Sequence, residues 1–214
     1  SQFMVFNWNK ASDPFKQSLF RSDKFRRAMS HLVNRQAVID IVYGGLGTPM
    51  YSSVYPVLTQ WINPKVPKYE YDPKQAAKLL AELGFTKKDR EGYLVDSKGR
   101  RIEFNLATNA GNTQREQIAK LIVDEAKKVG VKVNFQAIDV NTLVGQLLSS
   151  GPDRPFDAII IGLTGGGLDW PFGSNVVPCK GNLHMWNKSG QCLDPRETLM
   201  EKLGIDWQAK KTEF

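Results

Sequence analysis

Cysteine and histidine, which supply much of protein metal and nucleophile chemistry, are scarce here: two of each in 214 residues. With so few thiolate and imidazole donors, a structural zinc site of four such ligands is not expected. Neither Cys179 nor Cys192 has a C-x-x-C companion. No apolar run approaches the ~18 residues of a membrane-spanning helix. Ser1 to Lys10 has neither a basic start nor a long apolar block, so no secretory leader is expected in that stretch. Gly44-Gly45-Leu46-Gly47 follows a helical pattern rather than a strand, and no Gly-Lys-Ser/Thr ending occurs, which excludes a phosphate-binding loop. A G-x-S-x-G nucleophile elbow is missing too. His31 lies inside a helical pattern and His184 in a loop, neither beside a recognisable nucleophile, and paired acids cannot be identified by spacing. The expectation is a chain that is not an enzyme and needs no cofactor.

What is present is ordinary for a globular protein: 41% hydrophobic and 24% charged residues, enough to build one core. The net charge of +7 permits an acidic partner. The basic residues are nonetheless spread out. The densest group, Lys87, Lys88, Arg90, Lys98, Arg100 and Arg101, is broken by Asp89, Glu91 and Asp96, without interleaved stacking aromatics. Nucleic-acid binding is therefore not expected. Cys179 and Cys192 flank a loop rich in Gly, Asn and Pro. A disulfide there would stabilise the fold by about 3 kcal/mol in the chain-entropy model and place the protein outside the cytosol; two free thiols are the alternative.

Phe3, Val5 and Phe6 suit a buried strand. Ser22 or Asp23 can cap a helix whose Phe25, Ala28, Met29, Leu32 and Val33 form one stripe, and Asn34 a second helix ending at Gly44-Gly45. Five prolines between Thr48 and Pro73 predict an extended irregular connection. Asp72-Pro73 opens a further helix that Gly84 stops. Tyr93 to Val95 and Ile102 to Leu106, separated by Asp96-Ser97-Lys98-Gly99, predict a β-hairpin. A helix from Thr113 to Val129, Gly130, and a strand at Val131, Val133 and Phe135 make a parallel crossover unit. A helix near Val140 to Ser149 and a strand from Phe156 to Gly162 extend the sheet. The fold class is α/β.

Ligands of open α/β sheets bind beyond the carboxyl ends of the strands. Two such ends stand out. Thr108-Asn109-Ala110-Gly111-Asn112 leads into a helix N-terminus with free N–H donors. After the apolar strand Ala158 to Ile161 comes Leu163-Thr164-Gly165-Gly166-Gly167-Leu168-Asp169-Trp170. There the glycines let backbone approach a solute, Asp169 offers charge and Trp170 a stacking face. A flexible surface loop is the alternative for this second segment.

The order of segments resembles the peptide- and nickel-type extracellular solute-binding proteins of ABC importers, family 5, and within them the C-terminal lobe. The likeness runs through Phe6-Asn7, Asp13-Pro14-Phe15 and Phe25-Arg26-Arg27-Ala28-Met29. It continues in Val33-Asn34-Arg35-Gln36-Ala37-Val38-Ile39, where Asn34 replaces the family's usual Asp. Gly44 to Pro49, Tyr71 to Ala76, Leu79 to Phe85, Lys128 to Val133 and Phe156-Asp157-Ala158 complete it. The resemblance implies a periplasmic-binding-protein-like type II lobe, a mixed sheet with flanking helices, over residues 1–200. Residues 201–214 would be a truncated tail leading back to a missing N-terminal lobe. It implies capture of a peptide or similar solute between two lobes, ABC permease subunits as partners, and a periplasmic or extracellular, membrane-associated setting. An oligosaccharide importer component, or a sensory protein reusing the lobe, is the alternative. In peptide-binding members an aspartate of the glycine-rich loop holds the peptide amino terminus. That position falls near Gly166 here, Asp169 matches a separate acid, Leu163 stands where an aromatic is usual, and the resemblance puts Asn109 and Gln114 near positions that line the cleft.

Overall fold

The computed structural model describes residues 1–52, 54–163 and 175–202. Thr164 to Gly167, Asp169 and Trp170 lie outside the described residues.

A four-stranded mixed sheet carries the molecule, in the order β1-β6-β4-β5. β4 (Glu103–Asn109) runs parallel to both β5 (Lys132–Ile138) and β6 (Ala158–Gly162). β1 (Gln2–Phe6) pairs antiparallel to β6, from Gln2 opposite Gly162 to Phe6 opposite Ala158. The two faces are separated by the period-two alternation of strands. Phe6, Leu106 and Ile160 point into one core; their neighbours Val5, Ala107 and Ile159 point into the other.

The larger core lies under four helices. Asp13 caps α1 (Pro14–Arg21) by accepting from the Lys16 N–H at 3.0 Å, with proline at the first helical position. Ser22 caps α2 (Asp23–His31) and Asp72 caps α4 (Pro73–Glu82) by the same bond geometry. α5 (Thr113–Val129) is the crossover from β4 to β5 and stops at Gly130, whose φ of +104° favours a residue without Cβ. The rings of Phe20, Phe25 and Phe104 each sit 5.3 Å from that of Phe6. Burying each such side chain stabilises the fold by about 1.5–3 kcal/mol. On the opposite face, α6 (Val140–Leu148) contributes Leu143 and Leu147, joined by Phe156 and Met185.

α3 (Arg35–Val42) is capped by Asn34 as expected. The Thr48 to Pro73 connection is irregular, and Arg35 braces it by donating to the carbonyls of Met50 and Tyr69, both at 3.1 Å. Asp157 does comparable work beside β6. It is buried, accepts from the Asn105 N–H at 3.0 Å and pairs with Lys16 at 2.8 Å and Lys10 at 3.3 Å.

Two expectations need correction. Helix α1 was not foreseen, although its Asp13-Pro14 start is the same signal as Asp72-Pro73. The hairpin forms its turn and one bridge but no extended ladder. β3 (Leu94–Val95) forms its ladder with β2 (Lys87–Lys88), and toward the next strand there is a single antiparallel bridge, Val95 to Arg101, flanked by bonds from Ile102 N–H to the Leu94 carbonyl and from Asp96 N–H to the Arg100 carbonyl. The following strand pairs with β5 along its whole length and with β6 only at Leu106 and Ala107.

Candidate functional site at the carboxyl edge of the sheet

β4 and β6 finish side by side, and the antiparallel β1 starts there, so Asn109, Gly162 and Gln2 converge on one edge. Arg115, in the first turn of α5, spans them. Its Nη1 donates to Asn109 Oδ1 at 2.6 Å and its Nε to Gln2 Oε1 at 2.9 Å. A Cβ on Gly162 would come within 2.8 Å of both Arg115 Nη2 and Gln2 Oε1, so the missing side chain leaves room for the guanidinium. Asn112 positions this turn by capping α5, its Oδ1 accepting from the Arg115 N–H at 3.0 Å. Glu116 folds back onto the Gly111 N–H at 3.0 Å. Beneath, the buried Thr108 hydroxyl donates to the Ile160 carbonyl and ties β4 to β6. Beside them the Leu163 carbonyl accepts from the Ser1 ammonium at 3.1 Å and from the Tyr55 hydroxyl at 3.4 Å.

Of the residues singled out from sequence, Asn109 and Leu163 share this edge, and Gln114 is exposed on the adjoining helical turn. Arg115, Gln2 and Tyr55 were missed. Arg115 carried a signal: a cation in a helix's first turn opposes the macrodipole, so something other than helix stability has to account for it. Gln2 and Tyr55 reach the edge only through strand pairing and an irregular segment, which no local pattern reveals.

A second polar cluster sits beyond the carboxyl end of β1. Cys179 and Cys192 are joined in a disulfide, and no other cysteine exists. Beside it, the buried Glu197 accepts from Trp186 Nε1 at 2.7 Å, from the Leu193 N–H at 2.6 Å, and faces His184 Nε2 at 2.7 Å. Burial alone would push its carboxyl up, but hydrogen bonds from His184, Leu193, Asn187 and Trp186 outweigh that and hold it below the ordinary value. His184, also fully buried, directs Nδ1 to the Val176 carbonyl at 2.8 Å. Asn9 links this cluster to the exit of β1, donating to Asn187 Oδ1 at 3.1 Å and accepting from the Lys188 N–H at 2.7 Å.

Comparison with known proteins places this architecture. A model of the bacterial extracellular solute-binding proteins, family 5 Middle, matches residues 1–181. A probable ABC transporter-binding protein of Deinococcus radiodurans is 51% identical over 98% of this chain and 36% of its own length. The oligopeptide-binding protein AppA of Bacillus subtilis is 34% identical over 75% of this chain and 28% of its own. This chain thus spans about a third of the length of these curated relatives. The structure of that AppA in complex with a nonapeptide superposes with a TM-score of 0.70 at 26% identity, covering 96% of this chain and 42% of that one. NikA from Brucella suis, in complex with Fe(III)-EDTA, gives 0.74 at 18% identity over 96% and 38%, a likeness of fold. The mixed sheet with flanking helices is that of a type II periplasmic-binding-protein lobe, and these relatives are binding proteins rather than enzymes. The chain belongs to the bacterial extracellular solute-binding proteins, family 5.

Proposed function

We propose that this chain is the C-terminal-lobe part of the substrate-binding component of an ABC importer, and that it captures a peptide or similar solute at the carboxyl edge of β4 and β6. The observation that carries the reading is Arg115. Its guanidinium bridges Asn109 and Gln2 across the strand ends, in the space that Gly162 leaves by having no side chain. Such an edge offers a fixed fork of donors and two amide side chains to a polar solute. Asn109, Gln114 and Leu163 line the same edge, and the segment with Thr164, Gly165, Gly166, Gly167, Asp169 and Trp170 follows directly from it. Peptide is favoured by the oligopeptide-binding relative that is 34% identical. The remaining two-thirds of the relatives' length would supply the opposing lobe, and closure of the two lobes on the solute would commit it to the permease subunits. The setting is the outside of the cell, as for the family, and a periplasmic protein fits it.

The test is a thermal-shift screen of the full-length protein against peptides, oligosaccharides and amino acids, with Arg115→Ala in parallel. A solute that binds only the native state raises the melting temperature. A shift of about 100-fold saturation, roughly 2.7 kcal/mol of linkage, with peptides and its reduction in the variant supports the reading. A shift that the variant retains in full moves the solute away from this edge. A folded protein that responds to no class refutes solute capture.

A further inference from the structure

The disulfide corner holds more ligand chemistry than a covalent staple requires. The Cys179 sulfur, a His184 ring nitrogen and a Glu197 oxygen lie within 4.8 Å of one another, as do the Cys179 and Cys192 sulfurs and a Glu201 oxygen. Glu201 places an oxygen 3.1 Å from the Cys192 sulfur and accepts from the Cys179 N–H at 3.2 Å. A tetrahedral zinc with Zn–S of about 2.3 Å and Zn–N of about 2.1 Å spaces its ligands roughly 3.3–3.8 Å apart. The two triads share the Cys179 sulfur, and opening the S–S bond frees the Cys192 side chain to swing toward His184 and Glu197 and complete one tetrahedral set.

The surroundings of the donors match as well. A metal-bound histidine is oriented by a hydrogen bond from its other nitrogen. His184 has that bond, with Nδ1 set against the Val176 carbonyl and Nε2 turned to Glu197. Both ring nitrogens therefore face acceptors, and a cation at Nε2 would take the place of a proton shared with the carboxylate. Glu197 is itself held by Trp186 and the Leu193 N–H. Counting only cysteine and histidine, the sequence offers too few donors; the carboxylates complete the set.

We propose that reduction of the Cys179–Cys192 bond converts this corner into a binding site for a thiophilic divalent cation, zinc, held by Cys179, Cys192, His184 and Glu197. An external dithiol supplies two electrons by two successive exchanges. The protein S–S bond breaks, Cys179 and Cys192 leave as thiols, and the dithiol's own sulfurs join. Zinc then forms two Zn–S bonds and releases both thiol protons to solvent. In the oxidised protein neither sulfur can act as a thiolate, so the site exists only after reduction. The metal would tie residue 179 to residue 192 as the disulfide does, keeping the corner closed in either redox state. This inference is independent of the solute reading.

The experiment uses the full-length protein, reduced with dithiothreitol, desalted without oxygen and titrated with Co2+. One cobalt per chain is expected, with a sulfur-to-metal charge-transfer band and tetrahedral ligand-field bands, all bleached by an equivalent of zinc. The oxidised protein and a Cys179→Ser/Cys192→Ser variant should show neither set. A reduced protein with native circular dichroism that binds no cobalt, or binds it without the charge-transfer band, overturns the proposal. If reduction loosens the corner, zinc should restore the Trp186 fluorescence of the oxidised form; failure to restore it also overturns the proposal.

Discussion

Replacing Arg154 by methionine tests how a buried cation can be held without a carboxylate touching it. Arg154 is 1% exposed, and its guanidinium donates to the Met185 carbonyl at 2.7 Å, to the Leu147 carbonyl, and weakly to Asn7 Oδ1 at 3.4 Å, while stacking 4.6 Å above the Phe156 ring. Among the described residues it makes no ion pair, and its Nε has no partner. Burial lowers its pKa to about 10, still far above neutrality, so the group remains a cation. Leu147 lies in the last turn of α6, where the helix dipole favours positive charge. Two good hydrogen bonds from a charged donor are worth about 3–6 kcal/mol together. Methionine forfeits them and strands two carbonyls, but recovers the desolvation cost of the cation, which is itself several kcal/mol. We expect a net loss of about 2–4 kcal/mol, and a melting temperature lower by roughly 4–16 °C for a chain of this size. Calorimetry of Arg154→Met against wild type reads it, and Arg154→Lys should fall between them because a single ammonium cannot fork to both carbonyls. A methionine variant as stable as wild type, or more so, would refute the reasoning and show that burying the charge costs more than its bonds return.

Two further outcomes follow from local geometry. Glu197, whose folded carboxyl is held below its ordinary value, contributes stability that is complete above the unfolded value of about 4.3 and is lost as pH falls through the lower folded value. The difference in urea stability between wild type and Glu197→Gln should therefore be about 2–4 kcal/mol at neutral pH and shrink on acidification; a constant difference would contradict the assignment. Gly130→Ala places a Cβ at φ +104°, 3.1 Å from the Gly92 carbonyl oxygen and 3.2 Å from Leu94 Cγ. A loss of about 1–3 kcal/mol is expected by chemical denaturation, and an unchanged midpoint would mean that the β2–β3 ribbon yields freely.

Elements defined by neighbours in the chain were legible in the sequence. Ser22, Asn34 and Asp72 each cap the helix that follows, and Gly130 ends α5, because capping involves residues two or three positions apart. The partner of Leu94 was not legible, since any strand with a free edge satisfies the same pattern and only the assembled sheet decides which edges are free. The candidate edge shows the same division. Asn109 and Leu163 follow from strand ends in an α/β sheet, whereas Gln2 arrives by pairing with a strand more than 150 residues on. The polar role of Glu197 depends on five groups spread from His184 to Asp194, and composition carries no trace of it.

The antiparallel pairing of β1 with β6 also sets a clock. Phe6 sits opposite Ala158, so among the described strands β1 has no ladder until β6 exists. At translation rates of 5–20 residues per second, that interval is roughly 8–30 s. The β4–α5–β5 unit, whose strands lie close in sequence, can assemble within that time. Throughout it the backbone edge of Phe3, Met4, Val5 and Phe6 waits for β6, while Phe20 and Phe25 are already available to cover the Phe6 ring.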